Sequence, residues 1–255
     1  MPNLSTLVIS VMLLVSTAAR AAELSVVSSG GFAAALKALA PAYEHDSGNR
    51  LVLGWGPSMG DTRDAVPARL ARGERIDVVI MVGDALSNLI EQGKADRGSR
   101  IDLARSLIGA AVRSGAPHPD IATPDAFRRT LLEAKSIAYS DSASGVYLSS
   151  DLFKQLGISE QLKDKARMIA ATPVGEIVAR GEAEIGFQQI AELKPVPGID
   201  LLGPIPAALQ KVTIYSAAIV ATSQDKSVAT SFIAYLAARK SAPVIADTGL
   251  EPVQR

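Results

Sequence analysis

The sequence predicts an α/β fold made of two units, each a mostly parallel sheet flanked by helices. Two observations lead to this prediction. Strand-like and helix-like segments alternate along most of the chain, as in proteins built from repeated strand–helix units. The segment Ile76–Val82 is apolar almost throughout, and such strands are typical of parallel sheets that helices cover on both faces. A chain of 255 residues is long enough for one large domain or two small ones.

The first unit alternates three strands with three helices. Apolar residues recur at helical spacing after the first strand, which indicates an amphipathic helix there. The predicted strands are Leu24–Ser29, Leu51–Gly56 and Ile76–Val82, and the predicted helices are Phe32–Glu44, about 60–72 and about 84–92.

The second unit begins near Leu107 with the strand-like run LIGAAVR. Thr123 followed by Pro124 predicts a helix start, because threonine caps helices and proline suits the first helical position. Further strands are predicted in SIAYSD, ARMIAATP, EIGFQQI and VTIYSAAIVAT, and further helices from about 145, over 174–181, over 226–238 and near the C-terminus.

Composition excludes several classes of function. The 26 basic and 26 acidic side chains cancel, so no basic excess indicates a nucleic acid or an anionic membrane as partner. The absence of cysteine excludes disulfides, thiolate catalysis and zinc–thiolate sites. Neither His45 nor His118 has a second histidine at ligand spacing, so no metal site is expected. The sequence also lacks a P-loop, a nucleophile elbow and a dinucleotide fingerprint, so we expect no cofactor.

Residues 1–22 are predicted to be a signal peptide. The apolar run Leu7–Val15 is shorter than the roughly 20 residues that span a bilayer, and small residues after it fit cleavage near Ala21 or Ala22. Residues 1–6 lack the usual lysine or arginine, and an N-terminal buried strand or helix is the alternative. Cleavage predicts a periplasmic protein with no membrane insertion, and the absence of cysteine excludes a lipoprotein anchor.

Four loops that join strands to helices are rich in serine, threonine and glycine. They read SSGG, GPSMG, SDSASG and ATPVG. Ligands of open α/β sheets bind beyond the carboxyl ends of the strands, and helix N-termini attract anions. Each loop alone is compatible with ordinary turn chemistry. Four such loops in one chain predict a shared anion site, with Arg63 as the nearby cation.

These segments, in this order, resemble the periplasmic solute-binding proteins of ABC transporters, and in particular the molybdate-binding branch. The likeness covers nearly all of the chain after residue 22, including GPSMG, SASGVYLSSDLFKQLGISEQL and ATPVGEIVARGEAEIGF. It implies a two-lobed periplasmic binding protein fold of type II. Lobe 1 would comprise residues 23–107 and 216–255 and lobe 2 residues 108–215, with hinge strands near 107–113 and 212–221. The resemblance also implies a monomer whose partners are a small anion and an ABC transporter permease.

The resemblance also implies ligand-binding residues. Ser29 and Ser58 would supply hydroxyls, Ser144 and Val174 would supply backbone N–H groups, and Gln189 or Gln188 would replace a tyrosine of the family. With neighbouring loop residues, the predicted set is Ser28, Ser29, Gly30, Ser58, Met59, Arg63, Ser142, Ser144, Gly145, Val174, Gln188 and Gln189. Carboxamides and guanidinium groups suit carboxylates. An organic di- or tricarboxylate is therefore favoured over molybdate.

Two main functions stay open at this point. A binding protein for ABC-type uptake, or a scavenging or sensory binding protein, needs only affinity and closure of the lobes. The aconitate isomerase branch of the family interconverts cis- and trans-aconitate by an allylic proton shift, which requires a base and stabilisation of the developing charge. Asp141 and Asp84, at the ends of predicted strands, are the candidates for that base, followed by Tyr139.

Overall fold

The computed structural model describes residues 21–170 and 172–253. The apolar run of the predicted signal peptide lies outside these residues. The strands are β1 (Glu23–Ser28), β2 (Arg50–Trp55), β3 (Val78–Val82), β4 (Ile101–Ser106), β5 (Ile108–Arg113), β6 (Ile137–Ser140), β7 (Ala166–Ile169), β8 (Ile185–Gln189), β9 (Ile199–Pro204), β10 (Thr213–Ile219) and β11 (Glu251–Pro252). The α-helices are α1 (Gly30–Ser47), α2 (Val66–Ala71), α3 (Gly83–Glu91), α4 (Pro124–Glu133), α5 (Ala143–Tyr147), α6 (Phe153–Gln155), α7 (Ser159–Leu162), α8 (Val174–Ala179), α9 (Ile190–Leu193), α10 (Lys226–Leu236) and α11 (Ala242–Asp247). A π-helical turn, Leu148–Leu152, joins α5 to α6.

The strands form two mixed sheets with helices packed on them. The first sheet has the order β11-β4-β10-β3-β1-β2, and the second has the order β7-β6-β8-β5-β9. Strands β1, β2 and β3 are parallel, as are β6, β7 and β8, which confirms the predicted α/β fold. The other strands pair antiparallel, so the sheets are less parallel than predicted. Four of these antiparallel strands, β4, β5, β9 and β10, flank the places where the chain leaves one sheet for the other.

The chain passes between the sheets twice. Leu107 separates β4 from β5, and residues 205–212 separate β9 from β10. Gln210 joins the two passages, because its Oε1 accepts from the Ile108 N–H at 3.1 Å and its Nε2 donates to the Ile108 carbonyl at 2.7 Å. The predicted hinge segments adjoin these passages, and the division of the chain into lobes at the predicted residues stays a prediction.

Apolar side chains cover both faces of β3. Val78 and Ile80 pack into the same cluster as Phe32 of α1, whereas Val79 and Met81 pack into a second cluster on the opposite face. All four strand residues are fully buried. Burial on both faces explains why this stretch of the sequence is apolar almost without interruption.

Several elements differ from the sequence-based expectations, and strands β4, β9 and β11 and helix α9 are all additional to them. The helix expected over 60–72 is confined to α2, because Gly60 adopts a φ of 91° that no right-handed helix contains, and Pro67 lies in the first helical turn. Strand β4 is an additional element. Its sequence, IDLARS, has no clear alternation, and the strand is completed by antiparallel pairing with β10 far along the chain.

Asp77 ties the entry of β3 to two other segments. Its buried carboxylate accepts from the backbone N–H of Ser25 at 2.9 Å and from the hydroxyl of Ser223 at 2.8 Å. Its own backbone N–H donates to the Ser25 carbonyl, and its carbonyl accepts from the Val220 N–H. The residue therefore fixes β1, β3 and the turn after β10 to one another.

Replacing Asp77 with alanine is expected to lower the free energy of unfolding by about 3 kcal/mol, because a buried N–H and a hydroxyl lose a charged acceptor. Denaturant unfolding followed by circular dichroism measures this change. Asp164→Ala, at an exposed position, is the matched control and should stay within about 0.5 kcal/mol of the parent protein. Equal stability of the two variants would contradict the role given to Asp77.

Candidate functional site

The predicted loops lie at the carboxyl ends of the parallel strands in both sheets. Ser29 is the N-cap of α1 after β1, and Ser58 follows β2. In the second sheet, Ser142 is the N-cap of α5 after β6, and Val174 begins α8 after β7. This edge is where open α/β sheets bind ligands. The fold therefore gives all four loops the location that an anion site requires.

The hydroxyl at the start of α1 is buried and unused. Ser29 is 4% exposed, yet its Oγ makes no hydrogen bond. An N-cap serine ordinarily accepts from a backbone N–H of the first turn, and this one does not. The hydroxyl of Ser28 is engaged with the Ser29 carbonyl at 3.0 Å. The Ser29 hydroxyl is thus buried and unpartnered at the N-terminus of an 18-residue helix, a position that attracts anions.

Glu192, which the sequence analysis does not select, lies against the same helix start. Its Oε1 sits so close to Gly30 that a methyl group there would collide with it, and its Oε2 is buried without a hydrogen-bond partner. The hydroxyl of Tyr215 lies against Gly31 in the same way. Because glycine lacks a side chain at both positions, a carboxyl from α9 and a phenol from β10 reach the backbone at the start of α1.

The environment of Glu192 changes its acidity. Burial raises the pKa of Glu192 to about 7. A hydrogen bond from the Gln188 side chain opposes this rise, the charge of Asp141 adds to it, and a hydrogen bond from the Gln189 N–H opposes it. Burial, and then the negative charge of Glu192, raise the pKa of Tyr215 well above its ordinary value. Near neutral pH, Glu192 therefore both binds and releases a proton, while Tyr215 keeps its own.

The two predicted glutamines make hydrogen bonds within the protein. Gln188 Oε1 accepts from the Val174 N–H at 2.9 Å. Gln189 Oε1 accepts from the Ser106 hydroxyl at 2.7 Å, and its Nε2 donates to Thr213 Oγ1 at 3.0 Å. Ser106 ends β4 and Thr213 begins β10, so Gln189 bridges the two passages between the sheets. In this structure the Val174 N–H and the side-chain amides of Gln188 and Gln189 thus form hydrogen bonds within the protein and stabilise the loops of the site.

Three hydroxyls cluster at the start of α5. The Oγ atoms of Ser140, Ser142 and Ser144 lie 2.7, 3.1 and 3.3 Å apart. Gly145 packs so closely on the Ser140 carbonyl that no side chain fits there. Each hydroxyl can donate or accept, so the cluster can turn donors toward an anion.

A cavity of about 280 Å³ opens beside these loops and contains residues from both sheets. Three predicted residues line it, namely Met59, Asp84 and Ser144. Two cationic side chains, Arg100 and Lys211, also line it and are absent from the sequence-based set. Two carboxylates, Asp84 and Asp151, line the same cavity, so its lining combines charges of both signs.

Arg100 is held in place from within the first sheet and its helices. It donates to the Ser87 hydroxyl at 2.7 Å and pairs with Asp102 at 3.3 Å. Arg63, the predicted cation, is exposed and does not line the cavity. Ser58, by contrast, is buried, and its Oγ accepts from the Val82 N–H at 3.0 Å, which joins the second serine loop to the start of α3.

The predicted candidates for a base occupy different environments. Asp84 is exposed at the rim of the cavity, and Asp141 is exposed in the loop after β6. Tyr139 packs edge-on against Phe153, with ring centroids 5.9 Å apart. His118 pairs with Asp200 on the surface. The part of the chain that the structure describes contains no group of three or more histidine, aspartate or glutamate residues able to hold a metal ion.

Within the described ranges, no helix combines the length and the apolar character needed to cross a bilayer.

Comparison with known proteins extends these observations. Aconitate isomerase from a Pseudomonas species is 52% identical to this chain over 256 residues, which cover 99% of this chain and 98% of that protein. The molybdate-binding protein ModA of Azotobacter vinelandii is 26% identical over 246 residues, or 91% of each chain. The structure of the periplasmic molybdate-binding protein of A. vinelandii has the same fold, with a TM-score of 0.73 at 23% identity over 91% of this chain and 100% of that one.

The family match agrees with this likeness. The family described as bacterial extracellular solute-binding protein matches residues 24–251. The resemblance found in the sequence and the predicted type II binding protein fold are therefore confirmed. The chain belongs to the bacterial extracellular solute-binding protein family.

Proposed function

We propose that this protein is an exported aconitate isomerase that interconverts cis- and trans-aconitate. The observation that carries the proposal is the 52% identity, over nearly the whole chain, to a protein named aconitate isomerase. The chemistry of the site supports it. Hydroxyls and helix N-termini can hold carboxylates, two cations line the cavity, and a buried carboxyl group titrates near neutral pH.

The reaction moves one proton and one double bond within a tricarboxylate. A base removes a proton from the methylene carbon, and the C–H electron pair forms a new double bond to the central carbon. The former double bond then takes up a proton at the far carbon. Electrons are neither gained nor lost, so the site needs a proton carrier and donors that stabilise the enolate-like charge.

Several residues fit the task of holding the three carboxylates. Ser29 has an unpartnered hydroxyl at the start of α1, and the serine cluster lies at the start of α5 in the second sheet. Arg100 and Lys211 are the cations of the cavity wall, which Asp84 and Asp151 also line. Together they supply separate anchoring points, which an elongated polycarboxylate can use and a compact tetrahedral oxyanion cannot.

Export to the periplasm is part of this proposal. The family is described as extracellular, and residues 1–22 have the pattern of a signal peptide. Cleavage near Ala21 or Ala22 would leave a chain that begins at the first residues of β1.

A binding protein that delivers a small anion to an ABC transporter permease is the second candidate function. Two sheets joined by two passages of the chain form the architecture that closes around solutes. The ModA relative is named for molybdate binding, which favours an oxyanion as the ligand of such a receptor.

Incubation of the purified protein with cis-aconitate is expected to yield trans-aconitate, and the reverse reaction should also proceed. Chromatography of the two isomers measures both directions. Calorimetric titration with molybdate is the companion experiment and is expected to show no tight binding. Absence of turnover would refute the isomerase, and tight molybdate binding in the same preparation would favour the receptor.

Replacing Ser29 with alanine is expected to lower kcat/KM for cis-aconitate roughly tenfold or more, because a hydrogen bond to a charged ligand is lost. Its free energy of unfolding should stay the same or rise by up to about 1 kcal/mol, since the Oγ has no partner in the protein. Steady-state kinetics and denaturant unfolding measure the two effects.

Thr123→Ala is the matched control for Ser29→Ala. Thr123 caps α4 by accepting from the Ala126 N–H at 3.2 Å, so its loss should cost about 1 kcal/mol of stability and leave kcat/KM unchanged. If Ser29→Ala loses stability as Thr123→Ala does and keeps its activity, Ser29 is an ordinary cap.

A further inference from the structure

We propose that Glu192 is the proton carrier of the isomerisation, a role that the geometry around its carboxyl group supports and that rests on the proposed function. The neighbours of the carboxyl group come from both sheets. They are the start of α1 at Gly30, Tyr215 of β10 and Gln188 of β8, with Asp141 near enough to act on it by charge. Glu192 therefore lies where the two sheets and their loops face each other.

An unpartnered carboxylate oxygen in this position indicates a group that interacts with a ligand. In the described ranges, three buried side-chain polar atoms lack a hydrogen-bond partner, and these are Ser29 Oγ, Ser159 Oγ and Glu192 Oε2. Burying such an atom without a partner costs stability, so each one calls for an explanation. Ser29 and Glu192 both adjoin Gly30, at a helix start that attracts anions. Two unused polar groups at one anion-attracting point are explained by a ligand that uses both.

The positions of Ser29 and Glu192 indicate a different role for each, with Ser29 binding the substrate and Glu192 transferring the proton. A terminal carboxylate of the substrate, held by Ser29 and the start of α1, brings its adjoining carbon next to the Glu192 carboxyl group. That carbon is the one that must lose or gain a proton. Glu192 Oε2 takes the proton from the methylene carbon, and the same oxygen returns a proton to the far carbon as the double bond shifts. The glutamate ends each turnover in its initial state.

Electrostatics favour Glu192 over the exposed aspartates for this work. Burial places the pKa of Glu192 at about 7, so the group can accept a proton and return it at neutral pH. The titratable groups that act on it are Asp141, which opposes its ionisation, and Tyr215, which stays protonated. The Tyr215 hydroxyl is then a neutral donor for the charge that develops on the substrate.

Glu192 also fits an ordinary structural role, the capping of α9. Glu192 occupies the third position of α9, and the backbone N–H of its N-cap residue Gln189 donates to the carboxylate. Glutamine at position 192 keeps an oxygen acceptor for that N–H and cannot ionise. A role limited to capping thus predicts that glutamine works nearly as well as glutamate.

The experiment compares the parent protein with Glu192→Gln. In the variant, we expect kcat for cis-aconitate to fall by a factor of about 1,000 or more, the range for loss of an acid–base group. Aconitate affinity, measured by calorimetry, should change by less than about threefold. Deuterium uptake from D₂O into the substrate methylene group, followed by NMR, should stop. Glu160→Gln, at an exposed position of α7, is the control and should behave as the parent protein.

The pH profile tests the assignment independently. In the parent protein, kcat/KM should rise with pH through about 7, because the base acts when ionised and kcat/KM reports the free enzyme. The variant should fold at least as stably at high pH. A carboxyl with a raised pKa contributes stability that is complete below its unfolded value and is lost as pH rises through about 7, and glutamine has no such loss.

Each outcome decides a different point. Loss of turnover and exchange with retained binding supports Glu192 as the proton carrier. An active parent protein with a variant that keeps more than about a tenth of its kcat overturns Glu192 and leaves the isomerase standing. A parent protein that neither isomerises aconitate nor exchanges its protons overturns the proposed function and this inference together. If the variant does not fold, a parent pH profile with its inflection below about 5 overturns the assignment to Glu192.

Discussion

The arrangement of the site depends on one side chain, that of Gln189, which is bonded to both passages between the sheets. Its carboxamide accepts from Ser106 at the end of β4 and donates to Thr213 at the start of β10. Helix α9 begins at the next residue, so the same two bonds fix the direction of that helix. As a result, Glu192 of α9 packs against the start of α1, where Gly30 and Gly31 have no side chains and leave room for it.

The fold and the location of the site could be predicted because they depend on local patterns that are visible in the sequence. A strand buried on both faces must be apolar throughout, as Val78–Met81 are, and a serine-rich loop after such a strand must lie at the carboxyl edge of the sheet. Strand β4 and the shortened α2 follow from other causes. The first depends on pairing with β10, more than 100 residues away, and the second on the backbone conformation of Gly60.

The identity of the polar groups at the site depends on contacts that the sequence does not display. Glu192 follows Gln189 by three residues, which is the spacing of a helix cap and by itself indicates nothing more. Its carboxyl group is buried where α9 meets α1, and Arg100, which lines the cavity, is bonded to Ser87 and Asp102. The ligand contacts predicted for the loops stay predictions. In the structure, the Val174 N–H, one of the predicted ligand donors, donates to Gln188 Oε1 instead.

The two sides of the site differ in how they can respond to a change in the shape of a ligand. At Gly30 and Gly31, the side chains of Glu192 and Tyr215 fill the space that any side chain would need, so this closely packed wall resists a change of shape. At Ser140, Ser142 and Ser144, three hydroxyls share hydrogen bonds that reverse when the O–H bonds rotate, with no heavy atom displaced. Geometric isomers of one molecule can then be held at a common anchor on the first wall, while the second wall exchanges donors for acceptors to match each isomer.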